Sequence, residues 1–162
     1  MKTIDWVHEL KGSQEFFERA TRELDEADSG FRPTEDCMTA SQQVAHVART
    51  VHWFIDGASK PEGFDLNFEE HARDLEKVTS LAEAREEVVQ AYQRALLYYG
   101  GLSAEELAEP IAEGPIMGGE PRVNTLTGII DHAAHHRGSL SIYTRLLGKV
   151  PPMPYMDMPE GA

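Results

Sequence analysis

The sequence predicts an all-α protein, a four-helix bundle with a long Pro/Gly-rich connection before its last helix. Three observations carry that prediction. Apolar residues recur at three- and four-residue steps through four long stretches, the period that gathers them on one face of a helix. Each stretch is bounded by residues that cap or break helices. No strand-like alternation runs longer than four residues, and no internal repeat is present. At 162 residues, 41% of them hydrophobic, residues 1–162 read as one domain with enough apolar material for a real core.

The first stretch runs from Ile4 through Trp6, Val7, Leu10, Phe16, Phe17, Ala20 and Leu24 to Asp28. Gly12 weakens this helix without ending it, and Ser29-Gly30-Phe31-Arg32-Pro33 stops it. The second opens at Thr39-Ala40-Ser41-Gln42, which has the form of a capping box, and continues to about Gly57. Ser59-Lys60-Pro61-Glu62-Gly63 breaks it, and the acidic piece from Asn67 to Lys77 carries a short or irregular helix. Ser80-Leu81-Ala82-Glu83 starts the third long helix, which Gly100-Gly101 ends. Ser103–Glu109 forms one short turn. Pro110–Arg122, with Gly114, Gly118 and Gly119, is a loop, either a lid over the bundle mouth or a connector between distant helix ends. The fourth helix begins near Asn124, a good cap residue, and closes at Gly148 before Pro151-Pro152-Met153-Pro154. Short to medium connections give an antiparallel-type bundle.

Charge narrows the partners. The formal net charge is −13, from 28 acidic and 15 basic side chains, and the basic ones are scattered among acids. Such a field repels phosphate backbones and anionic lipid, so neither nucleic acid nor membrane is an expected partner. No apolar run approaches the roughly 20 residues that span a bilayer. The N-terminus turns charged too early for a secretory signal, and Cys37, the only cysteine, allows no internal disulfide. A cytoplasmic setting is expected. Cys37 lacks an adjacent base in sequence and is not assigned as a nucleophile.

Three of the seven histidines fall within Asp131-His132-Ala133-Ala134-His135-His136. His132 and His136 are four apart, so on a helix they stack on one face and can grip one transition-metal ion. A catalytic metal site usually takes three protein ligands and keeps a position open. His46, inside the apolar run of the second helix, is the best third ligand. His52 lies about 240° further around that helix and points elsewhere; His8 and His71 read as surface residues. His135 cannot share the direction of both neighbours and is assigned beside the ligands or on the surface. Asp131 either accepts an imidazole N–H, fixing its tautomer, or is a solvated acid. Arg49, Thr50 and Trp53 share the side of His46 and are candidate pocket residues, as is Tyr143 on the last helix. Trp53 walls a substrate space or serves as a core or interface aromatic. Gly128, one turn before His132, leaves room for a ligand or for helix packing. An imidazole-only set suits a divalent transition metal, zinc or nickel first, with iron and copper behind.

These residues resemble a known family. His46 in its Gln-x-x-x-His context, the run His132-Ala-Ala-His135-His136-Arg137-Gly138-Ser139-Leu140, and Arg145-Leu146-Leu147-Gly148 followed by prolines are similar to the DinB/YfiT-like family. The resemblance implies a four-helix bundle holding one divalent ion on His46, His132 and His136. Ser139 stands where many members have Gln, which touches a substrate contact rather than a ligand. The family includes thiol-dependent S-transferases and isomerases that use low-molecular-weight thiols, and members described as metal-dependent hydrolases. No glutamate flanks either histidine motif to serve as a base for water, so thiol transfer to a small molecule is expected ahead of hydrolysis. The rival of another class is a non-catalytic helical module with core histidines whose apolar faces form a homodimer.

Overall fold

The computed structural model describes residues 5–157. Among them lie six helices and no strand: α1 (Trp6–Thr21), α2 (Ala40–Ser59), α3 (Phe68–Glu76), α4 (Leu81–Gly100), α5 (Ala104–Ala108) and α6 (Asn124–Leu146), with a short 3-10 turn at Glu26–Asp28. The four long helices form a ring in which α1 and α2 each pack on both α4 and α6. Their shared core holds Leu10, Phe17, Val51, Ile55, Val88, Tyr92, Leu126 and Leu140. Burying each such side chain contributes about 1.5–3 kcal/mol. Two buried hydroxyl pairs cross this core, Ser13 with Tyr92 at 2.9 Å and Tyr99 with Thr125 at 2.6 Å. Each satisfies a polar group that would otherwise be costly to bury.

The caps explain most boundaries. At α2 the Thr39 hydroxyl accepts the Gln42 N–H and the Gln42 amide oxygen accepts the Thr39 N–H, so the box closes in both directions. At α4 only half of the expected box forms. Ser80 accepts the Glu83 N–H at 3.2 Å, while the Ala82 N–H goes to Glu26 of the 3-10 turn at 2.8 Å. α6 ends in a Schellman motif: Gly148 takes φ +76°, its N–H bonds to Arg145 and the Lys149 N–H bonds to Thr144. The chain then folds back over α1, where Arg19 donates to the Pro154 carbonyl at 2.8 Å. The Arg137 guanidinium lies over the Phe16 and Tyr155 rings at 5.9 and 5.3 Å.

Two expected boundaries are corrected. The first helix ends at Thr21 rather than Asp28, and Ile4 lies outside the described residues. The Thr21 hydroxyl turns back to the Phe17 carbonyl at 2.9 Å. Asp25 and Asp28 then cap each other's backbone around a separate turn, although Leu24 still reaches the core. Asn124 does not cap α6. Val123 holds the cap position without a side-chain bond, Asn124 donates to Glu120 at 2.7 Å, and Thr125 bonds to the Arg122 carbonyl.

The bundle is also not antiparallel throughout. Arg49 meets Glu87, while His52 and Asp56 meet Arg94, so α2 and α4 run in the same direction. Arg85 near the start of α4 donates to the Leu24 carbonyl just past the end of α1, and Gly100 abuts Val7, so that pair is antiparallel. α2 and α6 are antiparallel as well, with Met38 meeting Tyr143 and Phe54 meeting Gly128. Two parallel helices in succession require the segment between them to travel back the length of α2, about 30 Å. That segment is 60–80, which contains α3. The loop Pro110–Arg122, by contrast, joins helix ends that already touch, as the Tyr99–Thr125 bond shows. It is neither a long crossover nor part of the cavity described next. Its ends pair at Pro110 and Pro121, and Arg122 fastens it to the Ala58 carbonyl at the end of α2.

Candidate metal centre

The antiparallel contact of α2 with α6 brings His46 to His132 and His136. One nitrogen from each ring falls within 4.8 Å of the other two. His46 Nε2 and His132 Nε2 stand 3.2 Å apart, and the ring centroids are separated by 4.5–4.9 Å. Two nitrogens bound to one tetrahedral zinc at about 2.05 Å would stand about 3.3 Å apart, so this spacing fits a ligand pair as well as it fits an N–H···N hydrogen bond. The amide oxygen of buried Gln43 lies 3.3 Å from His136 Nδ1. Accepting the Nδ1–H there leaves the other ring nitrogen with its lone pair free.

Electrostatics agree with a ligand role. Burial holds all three imidazoles below their ordinary pKa, and for His132 and His136 the neighbouring rings add to it, bringing them to about 4 and about 3. The rings are therefore neutral at pH 7, the form that donates a lone pair to a metal. The donor set is imidazole only; among the described residues neither a carboxylate nor Cys37 joins the cluster. The cluster can hold a transition-metal ion of the borderline class.

His46 and His132 open onto a cavity of about 940 Å³ between α2, α4 and the 60–80 crossover. Arg49, Thr50 and Trp53 line it, one to two turns beyond His46. Arg49 is held by Glu87 at 3.0 Å. The Trp53 indole N–H donates to the Asp65 carbonyl at 2.8 Å, and its ring packs on Phe54 and Phe64. The remaining expected residues stand apart from the cavity. Tyr143 is buried, donates to the Met38 carbonyl at 3.0 Å and packs edge-on against Phe31. Asp131 is exposed and makes no hydrogen bond to the three imidazoles. His135 is exposed, its ring 4.9 Å from that of His136. Gly128 serves packing: a Cβ there would come within 2.6 Å of the Phe54 ring.

Sequence reasoning passed over several residues. Gln43 was legible in principle, being three positions before His46 and so on its side of α2. Glu87 carries no local signal, because only the parallel register of α2 and α4 brings it to Arg49. His52 and His71, set aside as pointing elsewhere or as surface, both reach the cavity wall. There His52 is bonded to Arg94, and His71 to Asp65 at 2.9 Å.

Fold and cluster together define a helical-bundle protein with a candidate three-histidine metal centre. The model of the DinB family matches residues 2–161, and the chain belongs to that family. Among solved structures, the DinB-like protein YjoA from Bacillus subtilis is similar at 15% identity with a TM-score of 0.70, over 96% of this chain and 100% of that one. At that identity the likeness speaks for the fold. No curated protein matches the chain. No helix among the described residues is long and apolar enough to cross a membrane.

Proposed function

We propose that the protein is a divalent-metal-dependent enzyme that activates a low-molecular-weight thiol and transfers it to a small electrophile. The observation that carries this reading is the convergence of three neutral imidazoles at the head of a cavity, without a carboxylate in the cluster. Zinc or nickel suits such a donor set, and a divalent ion bound there lowers the pKa of a thiol that reaches it. His46, His132 and His136 would hold the ion. Gln43 keeps the His136 ring turned toward it, and Trp53 with Thr50 walls the space for the electrophile. Hydrolysis needs a free base beside the attacking water, and among the described residues no carboxylate stands in the histidine cluster; of the two cavity-wall carboxylates on α4, Glu87 is held by Arg49.

The test begins with metal content in protein purified without a histidine tag from cytoplasmic extract. About one equivalent per chain is expected, with loss of metal in His46→Ala. A content near zero, with His46→Ala as stable as the parent, would instead favour a non-catalytic module. A screen of assorted thiols with an electrophile, set against ester and amide substrates, then separates transfer from hydrolysis. Turnover of the esters alone would refute the thiol assignment.

A further inference from the structure

We infer that the cavity beside the histidine cluster is a binding site for an uncharged, flat apolar group, clasped between Trp53 of α2 and the apolar stripe of α3.

The first observation is an amphipathic helix whose apolar stripe is only partly seated: Leu75 packs against the core, while Phe68 and Ala72 do not. Phe68, Ala72 and Leu75 recur at i, i+4 and i+7 on α3, the spacing that puts them on one face. A helix of this pattern normally seats that stripe in a core. Here none of its nine residues is buried, and Phe68 is 55% exposed. The stripe instead faces the cavity, and Phe68, Ala72 and Leu75 all line it. Phe68 touches Trp53 and yet keeps more than half of its surface open.

The second observation is a fixed aromatic wall. The indole N–H bond to Asp65 and the Phe64 ring at 4.5 Å hold the Trp53 plane in one orientation. The Phe68 ring lies 6.3 Å from it and tilted by 55°. Two aromatic rings splayed in this way present faces to a third flat group, which can meet one by stacking and the other edge-on. A cavity of about 940 Å³ is of the size that takes small organic ligands.

The third observation fixes the charge of the ligand. Each lysine and arginine on the cavity wall is already paired, Arg49 with Glu87, Lys60 with Asp56 and Lys77 with Asp74; of the histidines there outside the cluster, His71 bonds to Asp65 and His52 to Arg94. No lysine or arginine of the wall is left to greet an anion, and the chain as a whole carries −13. A second cation would find four of the five lining acids taken. An uncharged body loses least on entering such a wall.

In the thiol-transfer reading this group is the body of the electrophile, and that functional part of the inference rests on that reading; the binding itself does not. Three probes of matched size test it by calorimetric titration of the full chain as purified: 2-naphthylmethanol, 2-naphthalenesulfonate (a poor metal ligand) and 2-naphthylmethylammonium. The alcohol should bind tightest, by about tenfold over either ion. Phe68→Ala should weaken the alcohol by about tenfold, and Leu75→Ala should weaken it in the same direction. Because Phe68 is exposed, Phe68→Ala should leave melting temperature and metal content unmoved; Leu75 packs against the core, so its variant is read by metal content and ligand affinity alone. Amide exchange in 68–76 should slow when the alcohol saturates the protein. Sulfonate or ammonium binding as tightly as the alcohol would overturn the inference, as would Phe68→Ala and Leu75→Ala binding the alcohol like the parent. Metal content separates the two proposals: metal-free protein that still binds the alcohol through Phe68 keeps this site and sinks only the catalytic reading.

Discussion

His136 offers a sharp test of whether the imidazole cluster is built as the structure shows. Its ring is 7% exposed, and burial, reinforced by the rings of His132, His46 and His135, brings its pKa from 6.5 down to about 3. A folded-state pKa below the unfolded one means that acid favours the unfolded chain, which takes up the proton first. The ring therefore costs nothing above pH 6.5, and stability drains away as pH falls from there toward about 3. Over that window each pH unit costs about 1.4 kcal/mol, so between about pH 7 and pH 5 this one side chain should remove about 2 kcal/mol. Little solvent reaches the ring, so no large discount for screening applies. The perturbation is His136→Gln, which keeps a polar group beside Gln43 but cannot titrate. Urea unfolding of chelator-treated parent and variant at the two pH values is the assay. The parent should lose about 2 kcal/mol more than the variant over that interval. Carboxylates such as Asp56, whose burial is outweighed by the Arg94 and Lys60 that hold it below the ordinary carboxylate value, titrate below this interval and do not enter the difference. Parallel losses would show that His136 protonates freely in the folded state, and the buried neutral cluster would be refuted.

Three further outcomes follow from particular contacts. Gln43→Leu should weaken metal affinity about 10–100-fold in competition with a chelator, because the His136 ring loses the acceptor that orients it; unchanged affinity would remove Gln43 from the site. Gly128→Ala forces a Cβ within 2.6 Å of the Phe54 ring and should cost about 1–3 kcal/mol by thermal melting. An unmoved transition would mean that α2 and α6 are not in close contact there. Arg137→Ala removes the cation held over Phe16 and Tyr155 and should cost about 0.5–1 kcal/mol by urea unfolding. An unmoved midpoint would show that the segment is fastened without it, by Arg19 on the Pro154 carbonyl and by Arg22 on the Asp157 carboxylate.

Much of the fold was legible because the long helices announce themselves twice, by apolar period and by caps such as Thr39 and Gly148. The juxtaposition of His132 and His136 followed from helical geometry, and His46 from its place in an apolar run. What escaped was set by contacts remote in sequence. Leu24 continues the period of α1 and so hides its end, which Thr21, Asp25 and Asp28 decide through hydrogen bonds to backbone. The shared direction of α2 and α4 is a property of their packing, and no residue of either helix encodes it locally. That direction turned 60–80 into a cavity wall, while the loop 110–122, expected as a lid or a connector, lines no part of it. Periodicity also identifies an amphipathic helix without saying what its stripe faces: α3 was legible as a short helix, while its place on the cavity wall was not.

The arrangement of α2 shows why the site lies where it does. Val44, Val47, Val51 and Ile55 form its fully buried stripe and anchor it in the core. Gln43, His46, Thr50 and Trp53, at steps of three and four, make a second stripe alongside. In a closed bundle that second stripe would press against another helix and its polar atoms would need partners. Here Gln43 and His46 meet the histidines of α6, the crossover passes outside the rest, and the gap so created gives the indole and the free side of the His46 ring a space to face. The same long return that makes α2 and α4 parallel therefore opens the cavity. A sequence that shortened 60–80 could not keep both the helix directions and the site.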